Sequence, residues 1–413
     1  MKVGVYLGYK EQELGGGFTL QDDIFQALVR LESGHTFVIF SNTAKAQTKA
    51  LTPSQFQSVS LQRGFIERAR LELSKVAAAA AVKVPTIWSF VGLPLVGYSL
   101  WRGHRHRRWL RKTVRDLEIQ LMWFVTSNYV EVDIPYVFTV LDLQHRLQPW
   151  FPEVSAKGLW RRREEHYATA MRRASAVITG TESGKAEIVQ FYQVPPERIK
   201  LIPHPTPRFA LDAPKENNKE MLTKYHIPEG YLFYPAQFWP HKNHVTLLLA
   251  VRILREKHDL ILPVVFAGSD GGNLQHVRRV VDELGLSTQV YFLGFVPRQD
   301  LVGLYRNALV LTYLTFFGPE NLPPVEAFAL GCPVIASNVP GALEQLGDAA
   351  LLVDPKDEEQ IAGAIKRLHD DPALRDTLVS RGLSRASKWT AEEFVKSVFS
   401  LIDEFEPVRR CWH

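Results

Sequence analysis

Lys242 and Glu326 are the residues whose types and positions most clearly indicate chemistry. Lys242 lies just before a helical pattern, and a lysine ammonium there is a compact charge suited to a phosphate. Glu326 lies in the segment LPPVEAFALGCPVIAS, in which Pro323 and Pro324 predict the start of a helix. We expect Glu326 in the first turn, where the helix dipole favours negative charge. A strand, a loop and a helix start in this order predict an anion site.

Two further polar residues follow a predicted strand in the first half of the chain. Asp142 and His145 come after the apolar run 136–141, in TVLDLQHRLQPWFPEV. Ligands collect at the carboxyl ends of strands in α/β sheets, so this position favours substrate contact. The alternative is that His145 is a hydrogen-bonded loop residue.

Three consecutive glycines, 15 to 17, follow the first predicted strand at 3–7. Glycine lets a backbone approach a ligand closely, because it has no side chain to clash. Gly16 and Gly17 are therefore candidate ligand contacts. The alternative is a flexible turn, since the dinucleotide fingerprint G-x-G-x-x-G is absent.

Short apolar runs alternate with helix-length patterns along most of the chain, which predicts βαβ units and parallel sheets. A length of 413 residues predicts two domains, and prolines 203, 205 and 207 favour a boundary near residue 205. The apolar runs are 119–126, 136–141, 176–179, 231–236, 262–267, 290–295, 309–314, 333–337 and 349–353.

Composition indicates an ordinary globular protein, with 46% hydrophobic and 23% charged residues and a formal net charge of +5. Cys332 and Cys411 do not make a disulfide framework. The chain starts directly with a strand pattern and shows no signal-peptide pattern. We therefore expect a cytoplasmic protein, with a position at the inner face of the membrane as an alternative.

The region 84–115 combines an apolar segment with a basic cluster. Residues 84–101 carry no charge, but their prolines and glycines argue against a regular membrane span. Tryptophan-bearing apolar sequence beside a basic cluster indicates peripheral contact with an anionic membrane. The alternative is a hairpin packed on its own domain with a solvated basic face. Nucleic acid is disfavoured, because no recognised binding module surrounds the cluster.

The segment around Glu326 resembles the donor-site motif of retaining GT-B glycosyltransferases of family 4, E-G-F-G-L-P-P-L-E-A followed by G-x-P-V-I. The resemblance implies that Glu326 binds the donor ribose and that the amides of Asn321 and Leu322 face the diphosphate. The first Glu of the motif falls on Gly318 in this chain. Glu320 is our candidate to contact the donor sugar in its place.

Other segments resemble the same family. Lys242 and Asn243 match the end of its G-R-x-x-x-x-K-N pattern, while Gln237 stands where the family has a phosphate-binding arginine. Val296 lies in the L-G-x-V segment, whose backbone contacts the base in the family. Further matches are the glycine-rich first loop with Gly16 and Gly17, the T-V-H-D-L-Q-H segment at Asp142 and His145, and the segment 172–205.

The resemblance implies a GT-B fold of class α/β, with two Rossmann-like doubly wound parallel-sheet domains facing across a cleft. Residues 1–205 would form the acceptor-side domain, completed by a C-terminal helix in 390–413, and residues 206–389 the nucleotide-sugar domain. The implied catalytic residues are Lys242, His145, Asp142 and Glu326. The implied donor contacts are Gly16, Gly17, Gln237, Lys242, Val296, Glu320, Asn321, Leu322 and Glu326.

The implied function is transfer of a hexose, with retention, from a nucleotide sugar to a glycan or lipid-linked saccharide in polysaccharide biosynthesis. UDP-glucose is the first donor to consider and GDP-mannose the second. No cofactor is expected, and we expect metal independence because no Asp-x-Asp pair is present. The alternatives are a nucleotide-sugar-binding scaffold without transfer activity and a GT-B-type epimerase.

Overall fold

The computed structural model describes residues 1–8, 16–41, 55–61, 105–214 and 219–411. The chain divides into two compact units. One unit consists of Met1–Glu11, Glu32–Thr139 and Thr169–Val177, and the other of Gln12–Leu31, Val140–Ala168 and Ile178–His413. Gly15, the apolar segment 84–101 and basic residues 102 and 104 lie outside the described residues.

The first sheet is parallel in every described ladder and has seven strands in the order β3-β2-β1-β4-β5-β6-β7. Most of its strands are apolar and buried, as expected when helices cover both faces of a parallel sheet, whereas the edge strands β3 and β7 are partly exposed. They are β1 Lys2–Gly8, β2 Thr36–Ser41, β3 Phe56–Ser60, β4 Leu121–Phe124, β5 Tyr136–Thr139, β6 Ala176–Thr179 and β7 Ile199–Leu201.

The second sheet is also parallel and has six strands in the order β10-β9-β8-β11-β12-β13. The chain runs outward from β8 to β10 and then returns to the other side of β8 with β11. The point between β8 and β11 is therefore the topological switch, where open α/β sheets bind ligands. The strands are β8 Tyr231–Pro235, β9 Val264–Ala267, β10 Val290–Phe292, β11 Ala308–Tyr313, β12 Val334–Ser337 and β13 Leu351–Val353.

Helices connect most of these strands. The α-helices are Gly16–Leu28, 105–116, Gln144–Leu147, Pro152–Ser155, Leu159–Arg172, Glu182–Tyr192, Arg208–Leu211, Glu220–Tyr225, His244–His258, Leu274–Glu283, Arg298–Arg306, Leu322–Ala329, Ala342–Leu346, Glu358–Asp370, Pro372–Ala386 and Ala391–Arg409. Short 3₁₀ turns are Ala156–Gly158, Pro196–Arg198, Pro240–Lys242 and Gly347–Ala349.

The structure confirms the predicted α/β class with two Rossmann-like parallel sheets. Each of the predicted strands is present, several of them shorter by one to four residues than the apolar run that predicted it. The C-terminal helix Ala391–Arg409 packs against the helix Gly16–Leu28. No helix within the described residues has the length and apolar character needed to cross a bilayer. The division near residue 205 stays a prediction.

Candidate active site

A cavity of about 600 Å³ opens at the carboxyl ends of β8, β9, β10 and β11. The lining residues that the structure describes all belong to the second compact unit. Its volume lies within the range of small-molecule sites, which is roughly 300–1,000 Å³. The lining is Gly17, Thr19, Leu20, Leu141, Asp142, Gln144, His204, Phe209, Pro235, Ala236, Gln237, Trp239, His241, Lys242, Ala267, Gly268, Ser269, Phe295, Val296, Arg298, Leu301, Tyr313, Phe317–Leu322, Pro323 and Glu326.

The helix Leu322–Ala329 begins at the cavity after the N-cap residue Asn321. Because it starts at Leu322, Glu326 is its fifth residue and lies in the second turn. Our expectation that Glu326 is in the first turn was therefore wrong. The glutamate nevertheless lines the cavity, because one turn of helix brings it back to the same face as Leu322.

Few amides of this helix start are available to an anion. The backbone N–H of Asn321 donates to Oε1 of Gln345 at 2.9 Å, and Nε2 of Gln345 donates to the carbonyl of Asn321 at 3.0 Å. Pro323 and Pro324 have no N–H. The inference that the Asn321 amide faces a ligand is thus corrected, and among the first three helical residues only Leu322 has an amide to offer.

Gly318 stands where the family motif has glutamate, and its backbone explains the difference. Its φ is +142°, a conformation that L side chains rarely adopt, and a Cβ added there would lie 2.5 Å from the Asn321 side chain. The Asn321 side chain in turn donates to the Gly318 carbonyl at 2.9 Å. The conformation of this loop therefore leaves no room for a glutamate side chain at position 318.

Glu320 lines the cavity but its oxygens have partners. Oε1 accepts from the His204 backbone N–H at 2.7 Å, and Oε2 lies 3.4 Å from Nδ1 of His204. Burial raises the pKa of Glu320, with His204 opposing the shift and Glu344 adding to it. Glycine at position 180 leaves room for this carboxylate, because a Cβ there would lie 1.6 Å from Glu320 Oε2. Whether Glu320 contacts a sugar stays a prediction.

Glu326 is the best-positioned carboxylate of the cavity. It is 7% exposed, and its Oε2 accepts from the Tyr305 hydroxyl at 2.7 Å. Burial raises the pKa of Glu326 to about 7, against the hydrogen bond from Tyr305 and the charge of Arg298, while Asp23 raises it further. Within the described residues Oε1 has no hydrogen-bond donor, so it remains available to a ligand hydroxyl.

Lys242 provides a cation on the β8 side of the switch point. It ends the turn Pro240–Lys242, as predicted just before a helix, and its Nζ donates to the Tyr313 hydroxyl at 2.9 Å. Asn243 holds this turn in place in a left-handed conformation with φ of 54°. Its Nδ2 donates to the carbonyls of Leu314 at 2.9 Å and Pro355 at 2.8 Å. In the part of the chain that the structure describes, no carboxylate pairs with Lys242.

Arg298 is a second cation of the cavity, which the sequence analysis missed. It starts the helix Arg298–Arg306, and its Nη2 donates to the Thr19 hydroxyl at 3.1 Å. Its guanidinium lies 5.8 Å from the centroid of the Phe209 ring, and its Nη1 is 3.9 Å from Asp22. The sequence did offer a signal, because Arg298 comes two residues after Val296, directly after the segment whose backbone contacts the base in the family.

Gln237, Val296 and Gly17 also line the cavity, as predicted for ligand contacts. Nε2 of Gln237 donates to the Ser269 hydroxyl at 2.9 Å, and its Oε1 accepts from the Trp239 indole at 2.9 Å. Gly16 starts the helix Gly16–Leu28, and its contact with a ligand stays a prediction. The first two described glycines thus begin a helix instead of forming a loop.

Asp142 lines the cavity and stays ionised. Its Oδ1 accepts from Arg163 at 2.6 Å and from the Gln144 amide at 3.0 Å. Burial by itself would raise the pKa of Asp142, but Arg163, the Gln144 amide and His145 outweigh it and lower the pKa below its ordinary value. A fixed negative charge at the cavity wall can stabilise a developing positive charge on a ligand.

His145 is placed differently from our expectation of a substrate contact. Its side chain is fully buried and is not among the lining residues. Nε2 lies 3.2 Å from both Glu164 and the Tyr192 hydroxyl, and the ring stacks on Tyr167 with centroids 5.4 Å apart. Burial lowers the pKa of His145, with Arg163 adding to the shift and Glu164 opposing it. The alternative of a hydrogen-bonded structural histidine fits this geometry.

Replacing His145 with alanine should therefore reduce stability more than catalysis. We expect the free energy of unfolding to fall by about 2 kcal/mol, because hydrogen bonds and ring packing are lost together. Urea unfolding measures this loss, and donor KM should stay unchanged. The matched control Tyr192→Phe removes one hydroxyl of the same cluster and should cost less. A large fall in kcat with normal stability would contradict this assignment.

Among the described residues, no group of three or more His, Cys, Asp or Glu side chains is arranged to hold a metal ion. The charged groups that line the cavity are Asp142, Lys242, Arg298, Glu320 and Glu326, with His204 and His241 beside them.

Two sheets in the Rossmann strand order, with a cavity at a switch point that holds charged side chains, define the class of nucleotide-binding α/β proteins. Residues 15–207 match the family model described as Glycosyltransferase Family 4, and residues 217–385 match the model described as Glycosyl transferases group 1. The chain therefore belongs to the group 1 type of glycosyltransferase family 4.

Solved structures show that the fold is GT-B. Sucrose-phosphate synthase from Thermosynechococcus elongatus superposes with a TM-score of 0.68 at 19% identity, covering 98% of this chain and 99% of that chain. HepE of Anabaena in complex with UDP superposes with a TM-score of 0.67 at 16% identity, covering 98% and 100%. These identities support the fold alone.

A curated relative with higher identity is O-antigen chain mannosyltransferase B of Escherichia coli. It is 28% identical over 242 residues, which are 58% of this chain and 64% of that protein. O-antigen chain mannosyltransferase RfbU of Salmonella typhimurium is 29% identical over 203 residues, 49% of this chain and 53% of that protein. The chain thus spans about half to two thirds of these two curated relatives.

Proposed function

We propose that the protein is a glycosyltransferase that moves a hexose from a nucleotide-diphosphate sugar to a saccharide acceptor in polysaccharide biosynthesis. One observation carries this proposal. A single cavity at the switch point brings the Lys242 ammonium from the β8 side together with the buried Glu326 carboxylate from the β11 side.

The proposed donor pose uses residues that line the cavity. Glu326 accepts from the ribose hydroxyls through Oε1, because Oε2 is held by Tyr305. Lys242 and Arg298 neutralise the diphosphate, with Arg298 providing the positive charge that Gln237 lacks. Val296 adjoins the base. The proline-rich helix start has few amides, so it neutralises the diphosphate only in part. The two side-chain cations supply the rest.

The reaction breaks the bond between the sugar and the leaving diphosphate, and both charges that develop need stabilisation. The diphosphate gains negative charge next to Lys242 and Arg298, where cations at a pre-organised site stabilise it. The sugar gains oxocarbenium character, and the ionised Asp142 is our candidate to face it. We propose retention because the chain resembles a retaining family. Since no described residue of the cavity is a convincing covalent nucleophile, the acceptor hydroxyl would attack from the face of the leaving group.

The proposal also specifies which nucleotide sugar is the donor. The two curated relatives described above are mannosyltransferases by name, which favours GDP-mannose. HepE has been solved in complex with UDP-glucose, which keeps UDP-glucose as the second donor. A glycan or lipid-linked saccharide is the proposed acceptor.

Incubation with GDP-mannose and with UDP-glucose, in separate reactions, tests the function. Each reaction is followed by release of the nucleoside diphosphate and by mass spectrometry of added saccharide acceptors. Sugar transfer or slow donor hydrolysis supports the proposal, and an isomerised donor would indicate an epimerase. Donor binding without turnover would instead support a nucleotide-sugar-binding scaffold without transfer activity. Gly318 and Gln237 favour that alternative, because they replace two site residues of the family.

Chelation should leave the activity nearly unchanged. Lys242 and Arg298 already supply two positive charges at the proposed diphosphate position, so catalysis does not depend on a divalent ion to neutralise the leaving group. We expect the rate with EDTA to stay within about twofold of the untreated rate, since the pre-organised charges are covalently part of the protein. A large loss that added Mg²⁺ or Mn²⁺ restores would contradict metal independence.

A further inference from the structure

The helix 105–116 holds a concentration of positive charge that the cavity does not use. Its sequence, RHRRWLRKTVRD, contains six Lys or Arg residues and one Asp, so the helix carries +5. The formal net charge of the whole 413-residue chain is also +5. The rest of the chain is therefore neutral overall, and the net charge of the protein resides in one helix.

The helix is amphipathic, and its basic face is exposed. Leu110 and Val114 are buried against the first compact unit. Arg105, Arg108, Trp109, Lys112 and Arg115 recur at intervals of three and four residues, which places them along one exposed face. We name these five residues the basic stripe.

Some positive charge of the helix is compensated, and some is not. Arg107 and Arg111 pair with Glu131, and Arg111 also with Asp133. These ion pairs tie the flank of the helix to the loop 125–135. On the stripe, Lys112 pairs with Asp116, whereas Arg108 and Arg115 are exposed and have no carboxylate partner among the described residues.

Trp109 gives the stripe an apolar component. It is 38% exposed, stacks on His106 with ring centroids 5.5 Å apart, and lies edge-to-face with Phe40 at a centroid distance of 6.5 Å. An indole with a buried inner edge and an exposed outer edge suits the headgroup region of a bilayer, where one side is apolar and the other wet. Arginine and lysine side chains beside it can keep their charges at the level of lipid phosphates.

We propose that the basic stripe docks the protein on an anionic lipid surface. Helices with four to eight basic residues and an interfacial tryptophan bind such surfaces through combined charge and apolar contact. Single-stranded nucleic acid is the less suitable occupant, because its binding sites stack successive bases on several aromatic side chains, and the stripe has one. The proposal is independent of the donor chemistry, so either can fail alone.

Vesicle flotation of the full-length protein tests the proposal. The vesicles are phosphatidylcholine with about 30 mol% phosphatidylglycerol, and phosphatidylcholine alone, since only the first carries a negative surface potential. Wild type should float with the anionic vesicles and not with the neutral ones. Binding should be lost at about 1 M salt, where the Debye length is about 3 Å.

The variant Arg108→Gln with Arg115→Gln removes two stripe charges without breaking an ion pair among the described residues. We expect its partition onto anionic vesicles to fall about 25-fold, since each basic residue near such a surface contributes about 1 kcal/mol, or about fivefold. The matched control is Arg279→Gln with Arg367→Gln, which removes two exposed arginines of the second unit and should partition like wild type.

Three outcomes would overturn the proposal. The first is absence of wild-type binding to anionic vesicles. The second is an equal effect, or an equal lack of effect, of the two double variants. The third is tighter binding of a single-stranded RNA oligonucleotide than of vesicles, lost in the stripe variant and kept in the control variant. Circular dichroism of both variants keeps the comparison between folded proteins.

Discussion

Replacing Lys242 with alanine should lower kcat by about 100- to 1,000-fold, which is the usual cost of removing one pre-organised group that stabilises transition-state charge. The physical reason is that the leaving diphosphate gains charge as the sugar departs. The ammonium, fixed by the Tyr313 hydroxyl at 2.9 Å, is therefore worth more in the transition state than in the donor complex. Donor KM should rise less than kcat falls. Steady-state kinetics with the accepted donor, once identified, measure both parameters.

Two companion variants separate charge from position. Lys242→Arg keeps the charge and should retain more activity than Lys242→Ala, while Tyr313→Phe keeps Lys242 but frees it, and should cost less than either. Arg298→Ala should lower the rate further in the Lys242→Ala background if both cations share one diphosphate, and the combined loss should then be non-additive. Near-normal turnover of Lys242→Ala would remove Lys242 from the site.

The fold was readable from the sequence because parallel strands are apolar on both faces. Runs such as 231–236 and 309–314 have no solvent face, so they appear as continuous apolar stretches, and β8 and β11 lie within them. Helix starts were less readable. The helix starts at Leu322, with Asn321 as its N-cap, instead of at Pro323 as predicted, and this shift of one residue moved Glu326 from the first turn to the second.

The candidate site was predictable only for residues whose position at a strand end places them in the cavity. Lys242, Gln237 and Val296 follow strand ends and line the cavity. Contacts between segments far apart in sequence were not predictable. Gln345 accepts a hydrogen bond from the Asn321 amide from 24 residues away, and Arg298 donates to Thr19 from 279 residues away.

Burial was the other property that sequence could not supply. Asp142 and His145 lie three residues apart, just before and inside the short helix Gln144–Leu147, yet the first lines the cavity and the second is enclosed by aromatic side chains. The distinction depends on the helix Leu159–Arg172, which brings Arg163 to Asp142 and Glu164 to His145. No local pattern around the loop encodes those partners.

Donor affinity should depend on pH through Glu326. Its pKa is raised from 4.5 to about 7, with burial as the largest cause. Ribose hydroxyls donate to the ionised carboxylate, so tight donor binding requires deprotonation. If only the ionised form binds, the donor Kd should be about tenfold higher at pH ~6 than at pH ~8, because the ionised fraction changes by that factor around a pKa near 7. Isothermal titration calorimetry across this range measures the effect.

Glu326→Gln should weaken donor binding by about 10- to 100-fold at pH ~8, since a hydrogen bond to a charged acceptor contributes roughly 1.5–3 kcal/mol. It should also abolish the pH dependence between these values. The matched control is Glu187→Gln, because Glu187 is buried with a pKa raised to about 7 but does not line the cavity. That variant should keep the wild-type pH profile, whereas a profile lost in both variants would show that Glu326 is not the group that titrates.

The pH dependence of protein stability measures the ionisation of Glu326 independently of donor binding. A folded-state pKa above the unfolded value means that the contribution of Glu326 to stability is complete below pH 4.5 and is lost as pH rises through about 7. Glutamine cannot ionise and can still accept from Tyr305. The free energy of unfolding of Glu326→Gln, relative to that of wild type, should therefore increase by up to about 3 kcal/mol as the pH rises from ~5 to ~8. If that difference stays constant with pH, Glu326 is already ionised in the empty cavity, and the pH dependence of donor binding must come from another group, with Asp23 the first candidate because its pKa is raised to about 6.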